Sequence, residues 1–343
     1  MSRKTSLAGI AGLTLAILGG YEIWKHLPPY ERGLHDAVVQ AGTSPERADV
    51  PHIGPCPVYP ADSVWNTPID SLPKDRRSDD YIDNIGGSRG MHADFGSNLN
   101  TGLPYSELPP GTRKVKIDFD YHEESDLGNY PIPPGVPIEG GAAAGGDRHV
   151  ILIDTQRCLL YELFDAHPLA EGNWHAGSGV KVDLTGNALR PDGWGSADAA
   201  GMTIFPGLVR YDEVTAGAIN HALRFTVRQT RNTHIWPARH KASMIADLSA
   251  PAMGTRFRLR ADFDISKFSR NNQVILRALK KYGMFVADNG GDMFLSGVPD
   301  KRWDDVDLHK LGDVKAQDFE AVDESDLQLL ADSGRVDPVA LKK

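Results

Sequence analysis

A mainly β fold, a β-sandwich or jelly-roll-like core with a few helices on its outside, is what this sequence predicts, on three observations. Glycine (35) and proline (23) are both plentiful among the 343 residues, a bias toward many turns between short strands. Several apolar stretches alternate with polar residues, the period of a strand with one buried face. Strands and helices do not alternate at the regular intervals of a parallel α/β sheet. With 41% hydrophobic residues the chain can bury a large core, and we expect one β-rich domain over 53–312. A linker over 26–52, rich in proline and charge, precedes it. An acidic segment, 313–343, packs on the domain or extends from it.

The elements follow from local pattern. "KVKIDFDY" (114–121) and "RFRLRADF" (256–263) alternate and read as half-buried strands. "HVILID" with "CLLYELF", and "MFVA" with "MFLSG", are apolar pairs broken by short polar turns and read as hairpins. "MTIFPGLVRY" reads as a further strand. "SRNNQVILRALKKYG" spaces Val274, Ile275, Leu279 and Tyr282 for a helix, with a polar start near Ser269, lysines in its last turn and Gly283 as its stop. A shorter helix starts at Asp212. No internal repeat and no low-complexity tract is present.

At the amino end Arg3 and Lys4 precede an uncharged stretch from Thr5 to Tyr21, close to the ~17 to 25 residues that span a bilayer. The segment 1–25 is therefore expected to be a signal anchor or a cleaved signal peptide. Tyr21 and Trp24 suit the far interface, and no small-x-small cleavage site follows. The domain is expected in the periplasm or outside the cell, held on the cytoplasmic membrane, or secreted if the signal is removed. Export permits a disulfide between Cys56 and Cys158, the only cysteines; two free buried thiols are the alternative. A formal charge of −9 and no lysine or arginine block argue against nucleic acid as a partner.

No G-x-S-x-G elbow, Walker loop, G-x-G-x-x-G after a strand or H-E-x-x-H occurs. What remains is a set of acids and histidines beside glycine-rich turns. "IEGGAAAGGDRHVILID" brings Asp147, Arg148 and His149 to the mouth of a strand, with Glu139 across the loop. Equally, Asp147 caps a turn and His149 is a satisfied core residue. Glu162 sits in an apolar strand, where burial would raise its pKa and suit it to proton donation; facing solvent, it is only the polar half of an alternation. Asp198, in "GWGSADAAG", has neighbours too small to cover it. It is either a catalytic carboxylate beside an open groove or the cap of its own turn. Trp174, Trp194 and Trp236 are candidate platforms for a sugar ring, with core packing as their plain alternative. Arg148 and Arg190 suit an anionic sugar. His240 and Asp288 are further candidates for substrate contact, Asp288 also being what a tight turn requires. His234 and His240 match no standard metal-ligand spacing, so neither a metal nor a cofactor is expected.

"CPVYPADSVWNTPI", "EESDLGNYPIP", "GGDRHVILID", "GWGSADAAG", "PGLVRYDEV" and "YGMFVADNGG" together resemble a widespread family of exported bacterial proteins, over nearly all of residues 53–320. The resemblance implies a single exported domain and carries no activity or site residue with it.

Two functions compete on the residues alone. One is a carbohydrate-active enzyme of the cell envelope, a glycoside hydrolase ahead of a lyase. The hydrolase would cleave a polysaccharide or envelope glycan with two carboxylates drawn from Asp198, Asp147, Glu162 and Glu139; a lyase would instead use a base such as His149 or a tyrosine, with Arg148 or Arg190 neutralising a sugar acid. The other is a noncatalytic glycan- or peptidoglycan-binding protein, in which tryptophans stack and the acids serve turns. Convergence of the acids on one hollow separates them.

Overall fold

Three sheets and a short hairpin organise residues 50–337, the part of the chain that the computed structural model describes. The expected anchor, 1–25, and the linker up to residue 49 lie outside the described residues. Among those described, no helix is long and apolar enough to cross a membrane. The protein is mainly β, with few helices.

The hairpin β1 (His52–Ile53) and β2 (Cys56–Pro57) opens the described chain. The first sheet contains the expected hairpin of β7 (Val150–Asp154) and β8 (Leu159–Phe164), flanked by β4 (Tyr105–Glu107) and β11 (Ser178–Asp183). Cys158 falls in the turn before β8 rather than in the strand, and bonds to Cys56 across 102 residues of sequence. Such a closure chiefly restricts the unfolded chain, so replacing both cysteines by alanine is expected to cost about 2–4 kcal/mol. Denaturant midpoints of the oxidised, reduced and doubly substituted protein check it.

Leu152, Tyr161 and Leu163 on one face of this sheet pack against Val115, Ile117 and Phe119 of β5 (Lys114–Phe119), which alternates exposed and buried residues as expected. β5 belongs to a second sheet, between β6 (Asn129–Pro131) and β10 (Trp174–Ala176), with β9 (His167–Pro168) at the edge. The opposite face of the first sheet, Ile151, Ile153, Leu160 and Val180, joins the main core.

The third sheet has six strands in the order β16 (Phe319–Ala321), β13 (Arg256–Leu259), β14 (Met284–Asn289), β12 (Leu223–Val227), β15 (Phe294–Ser296) and β3 (His92–Asp94). Helix α1 (Ser78–Ile85) lies on β16 and α3 (Arg270–Lys281) on β13, while the short α2 (Tyr211–Ala216) follows Arg210. α3 is capped by the Ser269 hydroxyl, which accepts from the Asn272 N–H. It stops at Gly283, whose φ of +66° a side chain would strain.

Three expectations are corrected here. β14 and β15 do not form a hairpin: β12 lies between them, parallel to β14 and antiparallel to β15. The intervening turn therefore spans two strand spacings, about 10 Å. "MTIFPGLVRY" forms no strand; Phe205–Gly207 is one tight helical turn, Pro206 has no N–H, and the Ile204 and Phe205 N–H groups are taken by Glu162. "RFRLRADF" is a strand only over Arg256–Leu259, and its Arg256 is fully buried. The stretch after Asp313 supplies the edge strand β16 and buries Leu327 and Val336.

Register sorts the third sheet into two unlike faces. Phe257, Met284, Val286, Phe225 and Leu295 share one face and pack with Ile275 and Leu279 of α3. The other carries Arg256, Phe285 and Arg224 in one row. Arg224 donates to Ser296 Oγ (3.2 Å), and Ser296 pairs with Asp94 on β3. One row further along stand Asp288, Thr226, Phe294 and His92.

Candidate active site

The polar face of the third sheet meets two loops, 139–149 and 193–204, and the result is a group of charged side chains around Arg224. The carboxyls of Glu139, Glu162, Asp198, Asp288 and Asp94 all feel its charge. Its guanidinium is 4% exposed and lies 3.5 Å from Asp198.

Two of the acids lie beneath the surface. Asp198 is buried rather than open to a groove. Its Oδ1 accepts the N–H groups of Ala200 (3.1 Å) and Met202 (2.9 Å), so it caps its own turn. The turn needs Gly201, where φ is +68° and the Trp194 carbonyl stands where a Cβ would be. Glu162 is fully buried and accepts from Ile204 (3.0 Å) and Phe205 (2.8 Å). Burial pushes Asp198 up to about 6 and, more strongly than its backbone N–H donors can offset, Glu162 up to about 7.

Both native values exceed the ordinary carboxylate range, so between about pH 4 and 7 the native state holds more protons than the unfolded chain. Stability then falls as pH rises through that window, by a few kcal/mol at about 1.4 kcal/mol per pKa unit. His149, also raised, acts with the same sign. Unfolding midpoints are expected to be higher near pH 5 than near pH 8, and Glu162→Gln to flatten the difference. Equal midpoints for the wild type would contradict it.

His149 and Glu139 form a charged pair. His149 Nε2 lies 2.8 Å from the Ala197 carbonyl, which can only accept, so Nε2 carries a proton; Nδ1 meets Glu139 Oε2 at 2.6 Å. Burial disfavours both charges, but each partner's hydrogen bond and charge outweigh it. His149 is raised and Glu139 lowered. Both Glu139 contacts with His149 fall on Oε2. Asp288 is half-buried and raised, first by burial, with Asp147 adding to the shift while Arg224 and His149 oppose it. Asp94 is open to solvent on one side, yet the protein packed around it also raises its pKa.

Of the residues singled out in the sequence, Glu139, Asp147, His149, Glu162, Asp198 and Asp288 thus come together, with Asp147 exposed at the rim. The others do not join them. Arg148 is buried and donates to the Ala142, Ala144 and Ala166 carbonyls, shaping the 139–149 loop. Arg190 pairs with buried Asp126 (2.9 Å) and lies against the Trp194 ring. Trp174 packs on the second sheet's core, and Trp236 donates to the Ser333 carbonyl. His240 meets the Ala199 carbonyl behind the Asp198 turn (3.0 Å). The rings that share a register row with Asp288 are instead those of His92 and Phe294, whose centroids are 4.3 Å apart.

Arg224, Asp94, His92 and Phe294 were missed in the sequence. Arg224 and Thr226 alternate with Leu223, Phe225 and Val227 in "LRFTV", and that period-two signal pointed to a polar face. Among the described residues no group of three or more His, Cys, Asp or Glu is arranged to hold a metal ion. No family model matches the chain, and neither the curated proteins nor the solved structures contain a match.

Proposed function

We propose that the protein is a glycoside hydrolase that cleaves a polysaccharide or envelope glycan with Asp288 as proton donor and Glu139 as the ionised carboxylate. The observation that carries this reading is the gathering of Glu139 and Asp288 about the same two cations: Glu139 meets His149 Nδ1 at 2.6 Å, Asp288 lies in the field of His149 and Arg224, and the two carboxyls are displaced in opposite directions, Asp288 up and Glu139 down. Such a split is how one site supplies an acid and a base together. Asp288 would protonate the leaving glycosidic oxygen. Glu139, through the oxygen that His149 does not engage, would attack the anomeric carbon or activate water. The His92–Phe294 ring pair offers a face for a sugar. Asp198 and Glu162, being buried, act as positioning residues beneath Arg224.

A noncatalytic glycan-binding protein would have no need of that split. The disulfide supports an oxidising, extracytoplasmic location, and the amino-terminal segment would hold the domain at the membrane. In the same proposal the two four-stranded sheets are the sandwich part of the fold, and the six-stranded sheet carries the chemistry. Incubating the full-length chain with a panel of polysaccharides, and measuring new reducing ends, tests the reading. Silence across neutral and amino-sugar polymers would remove it.

A further inference from the structure

We infer that a second sugar-binding site lies against β3, beside the group of acids, and that the substrate is an extended, uncharged glycan chain. The inference rests on the hydrolase reading for its cleavage step, but not for the binding it predicts. A cavity of about 420 Å³ lies against β3, within the ~300–1,000 Å³ of small-molecule sites. His92 is the link. It lines this cavity, and it ends the row that carries Asp288, Thr226 and Phe294 across the sheet.

The lining has the chemistry of a sugar site. Met91, Phe95 and Leu308 form its apolar floor, mostly covered by the core they belong to, while Asn98, Thr101 and His309 bring polar groups for hydroxyls. His309 is set in one tautomer. Its Nδ1 donates to the Asp305 carbonyl (2.5 Å), which leaves Nε2 as an acceptor when the ring is neutral. The wall is held firm from behind, because Asp305 accepts both the Ser97 N–H (2.7 Å) and the Ser97 hydroxyl (2.6 Å).

Exposed charge favours an uncharged glycan. Asp94 and Asp147 are exposed beside the candidate site and Asp305 lines the cavity, while the cations Arg224 and His149 are buried and already paired with Asp198 and Glu139, so a polyuronate would bring its carboxylates toward groups of its own sign. A chain lying over His92 would pass from one site to the other, which suits cleavage within a polymer rather than at its end.

Calorimetric titration of the full-length protein with neutral oligosaccharides of about six sugars, in the gluco, xylo, manno, arabino and N-acetylated chito series, tests this. Three forms are compared: wild type, Thr101→Trp and Asp288→Asn. Thr101 is exposed, so a tryptophan there fills the cavity from its rim without disturbing the core, and matching melting curves check that. Binding is expected for wild type and for Asp288→Asn. It should weaken about tenfold or more in Thr101→Trp, and on a cleaved substrate the loss should fall on KM more than on kcat. Binding that is equal in Thr101→Trp and wild type, binding of uronate oligomers alone, or no binding at all would overturn the inference. Binding without cleavage in any form would instead sink the hydrolase reading and leave the second site standing.

Discussion

Asp288→Asn is expected to lower glycan cleavage by about 10²–10⁴-fold, the range by which a positioned proton donor accelerates a reaction, while the protein stays folded. Asparagine keeps the shape of the side chain but has no proton to give at a leaving oxygen. Asp288 is half-buried at the end of β14, and its Oδ1 accepts the following N–H, from Asn289 (2.7 Å). Little of the core depends on it. The pH profile adds a second readout. Because burial holds Asp288 above the ordinary carboxylate range and the His149 pair holds Glu139 below it, the rate should fall on the alkaline side as the donor ionises and on the acid side as Glu139 protonates. Loss of the alkaline limb in Asp288→Asn, with its residual rate, would identify the donor. Unchanged turnover in that variant would take Asp288 out of the chemistry.

Arg256→Met is expected to cost about 3–5 kcal/mol of stability, the usual result of removing one partner of a buried ion pair. The Arg256 guanidinium is fully buried and donates to the carbonyls of Tyr282 (2.7 Å), Val64 (3.1 Å) and Thr67 (2.9 Å) and to Glu324 Oε1 (2.7 Å). Methionine fills part of the space but leaves Glu324 buried beside no counter-charge. Replacing both, Arg256→Met with Glu324→Leu, should recover the part of the loss that comes from the unpaired Glu324 charge, while the Tyr282, Val64 and Thr67 carbonyls stay without their donor. Urea unfolding of the single and double variants measures both effects. A single-variant loss below about 1 kcal/mol would mean that the pair contributes little.

The strands and the acids were legible in the sequence for one reason: both are local signals. Alternation in "KVKIDFDY" and the cap and stop of "SRNNQVILRALKKYG" are set by neighbouring residues, and the structure follows them. An acid flanked by glycine stands out equally well, whether it faces substrate or, like Asp198, turns inward to cap its own backbone. Pairing between distant strands is not local. β12 enters between β14 and β15, and this alone brings Arg224 to Ser296 and sets Asp94 beside them. The tryptophans misled because a large ring is as useful for filling a core as for holding a sugar. His92 and Phe294 carried no mark of their pairing, since they are joined by the parallel register of β3 and β15.

The Arg256–Glu324 contact also bears on how the molecule is made. The third sheet cannot neutralise its innermost cation until residue 324 has been synthesised, and its edge strand comes only a few residues earlier. A chain leaving the ribosome therefore carries β12 to β15 without their buried counter-charge until residue 324 has been added. Truncations that remove β16 and Glu324 should yield insoluble material rather than a smaller folded domain.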